Sequence, residues 1–152
     1  MDYTYYFGYG SNLNLEFLRQ YCPSAKFVMK AFLPNYEAQF RFWSKKRNGG
    51  ISTIIEAPGE LVHGVIYEVL ENDLLELDIL ESVPQGFYTR EAFLVLGEDG
   101  GWQRVDLYRV MDPKGPFPPA RSYVEQMLTG AIQHGLDPEY IEIIEGFFKL
   151  AQ

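Results

Sequence analysis

Glu81 is the side chain of this sequence best placed to exchange a proton. It lies four residues after Leu77 and seven after Leu74, so a helix over about Asn72 to Glu81 sets it on the apolar side. Asp78, three residues earlier, shares roughly that side. A carboxylate near a helix C-terminus, poorly hydrated and close to a second acid, holds its proton more tightly than a solvated one. A general base working on an ammonium group needs that property. Read alone, the position is equally a polar helix end that turns to solvent at Ser82-Val83-Pro84.

A second chemical feature is the run Tyr5-Tyr6-Phe7-Gly8-Tyr9-Gly10-Ser11-Asn12, an aromatic strand that passes into a glycine-hinged loop. Gly8 and Gly10 allow close approach of another molecule. Asn14 can cap a helix whose first turn carries Glu16. A strand-to-helix corner with exposed N–H groups suits a carboxylate or a developing oxyanion, although a tight turn that merely joins two elements has the same form. Tyr123 follows a proline-rich stretch in the first turn of a helix, where its hydroxyl could close over a pocket or simply face the core.

The remaining reactive types read as structural. Cys22, the single cysteine, precedes Pro23 and reads as buried filler; it excludes an internal disulfide and fits a reducing cytosol. His63 sits in an alternating strand pattern and His134 near a helix end, without metal-ligand spacing around either, so neither a metal site nor a Ser-His-Asp triad is expected. Lys45-Lys46-Arg47-Asn48-Gly49-Gly50 reads as a solvated hairpin end, with attraction of a substrate carboxylate as its other reading.

The elements that must position these groups follow from periodicity. A helix is expected from about Asn14 to Cys22, and strands at Ala25–Leu33, Tyr36–Trp43, Ile51–Glu56 and Leu61–Leu70, the last two flanking a turn at Ala57-Pro58-Gly59. Phe87–Leu96 and Trp102–Val110 form a hairpin closed by Glu98-Asp99-Gly100-Gly101. Pro113 to Pro119 is too rich in proline for a helix or a central strand and reads as a stiff extended segment. Ser122 and Glu125 have the spacing of a capping box opening a helix that Gly135 ends; Asp137 caps the next, with Pro138 at its first position and Ile141, Ile144, Phe147 and Phe148 inward. About six strands with inserted and C-terminal helices imply an α+β fold around a curled or closed sheet, in one domain over 1–152.

With 47% hydrophobic and 16% aromatic residues, the chain can bury a β-rich core. A formal charge of −8 argues against nucleic acid or an anionic membrane surface as partner. No apolar run approaches the ~20 residues of a membrane span. Met1-Asp2-Tyr3-Thr4 lacks a basic region followed by an apolar stretch, so no secretory signal is expected and a cytoplasmic setting is.

Taken in order, these segments resemble the γ-glutamylcyclotransferase family. Tyr6-Phe7-Gly8-Tyr9-Gly10-Ser11-Asn12 is similar to its substrate-binding loop, usually Y-F-A-Y-G-S-N, and Leu77-Asp78-Ile79-Leu80-Glu81 to its L-D-x-x-E element, with Gly86-Phe87-Tyr88 like the G-x-Y that follows. Gly49–Ile54, Pro58–Val65, Tyr123–Ala131 and Gly135–Ile141 resemble further family segments, so the likeness runs from about Tyr5 to Ile141. Gly8 replaces the usual alanine, and Ser82 the glycine that often follows the acid. The resemblance implies a small closed-barrel α+β fold, in a monomer or homodimer, and a cofactor-independent conversion of a γ-glutamyl amide to 5-oxoproline and a free amine. Glu81 would be the acid/base, the loop Tyr6, Phe7, Gly8, Tyr9, Gly10 and Ser11 would hold the glutamyl part, and Tyr123 would be a further binding residue. A γ-glutamylamine, a γ-glutamyl-protected biosynthetic intermediate, or a non-catalytic ligand-binding role are the alternatives the residues leave open.

Overall fold

Alternation in the first half of the chain runs on through its own turn signals, and two long strands stand where four short ones were expected. In the computed structural model, which describes residues 2–151, β1 covers Tyr3–Gly8, β2 Lys26–Ser44 and β3 Gly49–Leu70. Antiparallel pairing of β2 with β3 passes from Pro34↔Leu61 to Tyr36↔Glu56, so Ala57–Glu60 stand opposite the single residue Asn35. Pro34 has no N–H for a ladder. Asn35 and Gly59 adopt positive φ, 68° and 88°, and the Gly59 N–H donates to Asn35 Oδ1 at 3.0 Å. The Ala57-Pro58-Gly59 signal is therefore a bulge inside continuous strands, not a hairpin turn.

β4 (Tyr88–Gly97) and β5 (Trp102–Val110) form the expected antiparallel hairpin, in register from Tyr88↔Val110 to Leu96↔Trp102. The five strands close into a mixed barrel in the order β1-β3-β2-β4-β5. β1 pairs with β3 along its whole length, from Tyr3↔Leu70 to Gly8↔Val65. Its parallel contact with β5 is confined to Tyr6↔Asp106, and β2 meets β4 only at Ala31↔Gly97 and Phe32↔Leu96. The barrel is thus a three-stranded half and a hairpin half joined along two thin seams.

The helices end where local chemistry dictates. Asn14 caps α1 (Leu15–Arg19), its Oδ1 accepting from the Phe17 N–H at 3.1 Å, and a 3-10 turn over Ser11–Leu13 precedes it. α1 stops short of the expected Cys22 because Pro23 disfavours helical geometry in the residue before it. α2 runs Glu71–Leu80 with Leu74 and Leu77 fully buried. Within α3 (Arg121–Gln133) Ser122 lies inside the first turn, so the expected capping box does not form; the N-cap is Ala120, whose N–H is committed to the Gly50 carbonyl at 2.8 Å. Gly135, at φ 67°, follows the end of α3. Asp137 caps α4 (Pro138–Leu150), with Pro138 opening the helix and Ile144 fully buried.

Two cores result. Phe7, Leu33, Ile54, Val62, Ile66, Val95, Val105 and Leu107 come from all five strands and fill the barrel. The other core packs the helices on the sheet, joining Tyr6, Tyr67 and Tyr108 to Leu18, Cys22, Leu74, Leu77, Met127 and Ile144. Gly130 lets α3 approach the 3-10 turn; a Cβ there would overlap the Leu13 backbone. No helix among the described residues is long and apolar enough to cross a membrane.

Candidate active site

Along β1 successive side chains face opposite ways, and this divides the loop motif into two groups. Tyr6 turns to the helix-side core, where Asn12 Nδ2 donates to its hydroxyl at 2.6 Å. Phe7 faces the barrel interior with no exposed surface and lines no cleft. Gly8 is likewise off the cleft; a Cβ there would stand 3.0 Å from the Asn12 carbonyl oxygen and from the Tyr67 ring. Phe7 and Gly8, expected among the ligand-contacting residues, therefore support the loop from behind, because alternation puts one inward and ring packing crowds the other. Tyr67 completes the support, donating its hydroxyl to the Asn12 and Leu13 carbonyls at 2.8 and 3.1 Å.

Tyr6, Tyr9, Gly10 and Ser11 do line a common cleft of about 420 Å³, together with Glu81 and Tyr123. Tyr9 donates to the Tyr108 carbonyl at 2.5 Å. Gly10 is required by close approach, since a Cβ would overlap the Tyr123 hydroxyl. The first N–H groups of a helical turn have no partner within it. Those of Gly10 and Asn12 make no hydrogen bond to another described residue, and the Ser11 N–H faces the Tyr123 hydroxyl.

Glu81 is the C-cap of α2, its N–H donating to the Leu77 carbonyl at 2.8 Å. Burial raises its carboxyl from 4.5 to about 7, with Arg47 pulling the other way. Asp78 plays no part in that shift. Its carboxylate is held outside the cleft by Arg90 Nε at 2.9 Å and by the Tyr108 hydroxyl at 2.5 Å. Arg90 also pairs with Glu71 at 2.7 Å and Asp106 at 2.8 Å, so one guanidinium ties the start and the end of α2 to the β4–β5 hairpin. Ser82 follows at φ 56°, in the left-handed region where glycine is at ease. A charge on Glu81 is felt by Tyr6, Tyr9, Tyr88 and Tyr123, whose phenols burial holds above their ordinary value and therefore protonated.

Tyr123 reaches the cleft because Gly50 pairs with the proline segment, its N–H donating to the Pro118 carbonyl at 2.7 Å. This brings Ser52 Oγ within 2.9 Å of the Tyr123 hydroxyl. Ser52, Tyr88 and Tyr108 are cleft residues that the sequence reading did not single out as a site, and Arg47, from the loop whose other reading was attraction of a substrate carboxylate, lines the same cleft. Strand alternation could have found Ser52. Arg47 is no solvated loop tip: its guanidinium lies 5.2 Å from the ring centres of both Phe17 and Tyr123, and Nη1 donates to Ser122 Oγ at 3.3 Å. The histidines are stacked elsewhere, His63 on Tyr140 and His134 on Phe27. No cluster of three or more His, Cys, Asp or Glu among the described residues is arranged to hold a metal ion.

This architecture and motif order have close counterparts. The model of the AIG2-like family matches residues 61–144. The γ-glutamylcyclotransferase of Bos taurus is 33% identical over 139 residues, 89% of this chain and 73% of that protein. The Homo sapiens γ-glutamylcyclotransferase is 33% identical over 141 residues, 90% and 74% of the two chains. A solved γ-glutamyl cyclotransferase structure superposes with a TM-score of 0.89 at 31% identity, covering 95% of this chain and 87% of the other. Agreement over nearly the whole length, in sequence and in backbone, means that the chain belongs to the AIG2-like γ-glutamylcyclotransferase family of enzymes.

Proposed function

We propose that this protein is a cytoplasmic, cofactor-independent γ-glutamylcyclotransferase that converts a γ-glutamyl amino acid or short γ-glutamyl peptide to 5-oxoproline and the free amine, with Glu81 as general acid/base. The observation that carries this reading is Glu81 itself, held by burial at about 7 in the cleft that also contains Tyr9, Gly10 and Ser11. A carboxylate near neutrality is half ionised at working pH and can both take and return a proton.

The chemistry asks little more of the protein. Substrate amine and δ-carbonyl belong to one molecule, and binding must bring them to about 3–3.5 Å. Glu81 takes a proton from the α-ammonium, and the freed nitrogen lone pair attacks the carbonyl carbon. The oxyanion so formed is received by loop N–H groups, those of Gly10 and Asn12 making no hydrogen bond to another described residue. Collapse of this intermediate breaks the carbon–nitrogen bond of the amide while Glu81 returns its proton to the leaving nitrogen; the second proton shed by the ring nitrogen passes by the same carboxylate to the free amine, which departs as an ammonium. Tyr6 and Tyr123, kept neutral, position the glutamyl part as hydrogen-bond donors, and Tyr9, whose proton goes to the Tyr108 carbonyl, offers its oxygen as an acceptor, with Gly10 and Ser11 as the backbone against which it lies.

Glu81→Gln tests the assignment. The variant is expected to fold and to bind a γ-glutamyl amino acid, while 5-oxoproline release falls at least ~10²-fold. Turnover near that of the parent enzyme would remove Glu81 from the mechanism.

A further inference from the structure

The cleft holds a cation that the reaction outlined above does not use. Arg47 is half-buried, and its position is fixed from several sides. Its own N–H donates to Ser44 Oγ at 3.1 Å, its guanidinium lies against the Phe17 and Tyr123 rings, and one nitrogen donates to Ser122 Oγ. It makes no ion pair among the described residues. Arg90, by contrast, gathers three carboxylates, whereas the fixed and half-buried guanidinium of Arg47 meets none. Glu81, the acid in the same cleft, feels the charge of Arg47 without touching it.

A guanidinium is planar and carries five donors; stacking on aromatic faces leaves its edge free, and that edge matches a carboxylate in two parallel hydrogen bonds. A single contact to a serine hydroxyl leaves most of those donors unused. Lys46 and Ser44 line the cleft beside it, so the positive and hydroxylic rim is continuous with the aromatic floor. The rest of the molecule repels anions through its net charge of −8, and an anionic substrate therefore needs a local attraction of this kind.

We infer that Arg47 is the carboxylate-binding residue of the cleft, a specificity determinant that holds a carboxylate of the bound γ-glutamyl compound. This rests on the function proposed above. Such a compound has two candidate groups, the α-carboxylate of the glutamyl part and the carboxylate of the departing amino acid. The shared chemistry is one guanidinium on one carboxylate, and the substrates used in the test separate the two sources.

Three compounds of matched skeleton are compared on the parent enzyme and on Arg47→Gln: a γ-glutamyl amino acid, the γ-glutamylamine lacking the leaving group's carboxylate, and the 4-aminobutanoyl amide lacking the α-carboxylate. On the full substrate Arg47→Gln is expected to lower kcat/KM about 10- to 100-fold, chiefly through KM, as fits loss of a hydrogen bond to a charged group. The loss should shrink on whichever truncated compound lacks the group that Arg47 holds, and Arg47→Lys should restore part of it. Equal losses on all three, or none, would overturn the assignment. If the parent enzyme turns over none of the compounds, the proposed function fails instead. Titration with glutarate then tests Arg47 alone: binding that weakens in Arg47→Gln supports the carboxylate site, and binding that is absent or unchanged refutes it.

Discussion

Ser82 holds a backbone angle, φ 56°, that side chains with a Cβ adopt at a cost of roughly 1–2 kcal/mol. Its place directly after Glu81 accounts for the glycine that family members often carry there. Ser82→Gly is expected to raise stability by about 0.5–1 kcal/mol, part of the relief being offset by the greater freedom of glycine in the unfolded chain; urea denaturation would read it, and a loss would refute the account. Glu81 makes the opposite trade. Its folded value of about 7 lies above the ordinary 4.5, so the folded state binds this proton more tightly than the unfolded one. The stability this contributes is full below the unfolded value, is lost as pH rises from about 4.5 to 7, and leaves the ionised side chain costing roughly 3 kcal/mol above that. Glu81→Gln should therefore unfold at higher urea than the parent protein at pH 8 and show little difference near pH 4.5. A gain of equal size at both would point to some cause other than the charge. The sequence makes Glu81 legible through its spacing from Leu74 and Leu77. It leaves Asp78 misread, because the partners that neutralise it, Arg90 and Tyr108, come from other strands.

At the scale of elements, α2 owes its seat to Leu74 and Leu77 beneath it and to the Arg90 cluster at its side. Arg90 is mostly buried, and removing it leaves Glu71 and Asp78 without a cation and Asp106 with only the exposed Arg104 at 3.8 Å. Arg90→Met is expected to cost about 3–5 kcal/mol in urea unfolding and to lower turnover by unseating Glu81. A variant within ~1 kcal/mol of the parent would mean that the cluster contributes little. The cluster was illegible beforehand since strand register, not local sequence, brings its members together. Helix ends were legible wherever a local cap decides them, at Asn14 and Asp137. The Ser122–Glu125 pattern misled because the backbone at Ala120 is already engaged by Gly50. The loop motif does not act as one block, since strand alternation turns Phe7 away from the cleft and the Tyr67 ring crowds Gly8.

Over the whole molecule the α+β class and the closed sheet were readable, whereas the strand count was not, since Pro34-Asn35 and Pro58-Gly59 bend paired strands without ending them. That closure has uneven strength. Among the described residues, ladder pairing between the three-stranded half and the hairpin half is limited to Tyr6↔Asp106 on one side and two pairs on the other. The cleft straddles the first of these joints: Tyr6 and Tyr9 come from one half and Tyr88 and Tyr108 from the other. Gentle warming would make the two shells breathe along that hinge line while each kept its own ladder intact. The enzyme would then fall silent at temperatures where its circular dichroism still looked native.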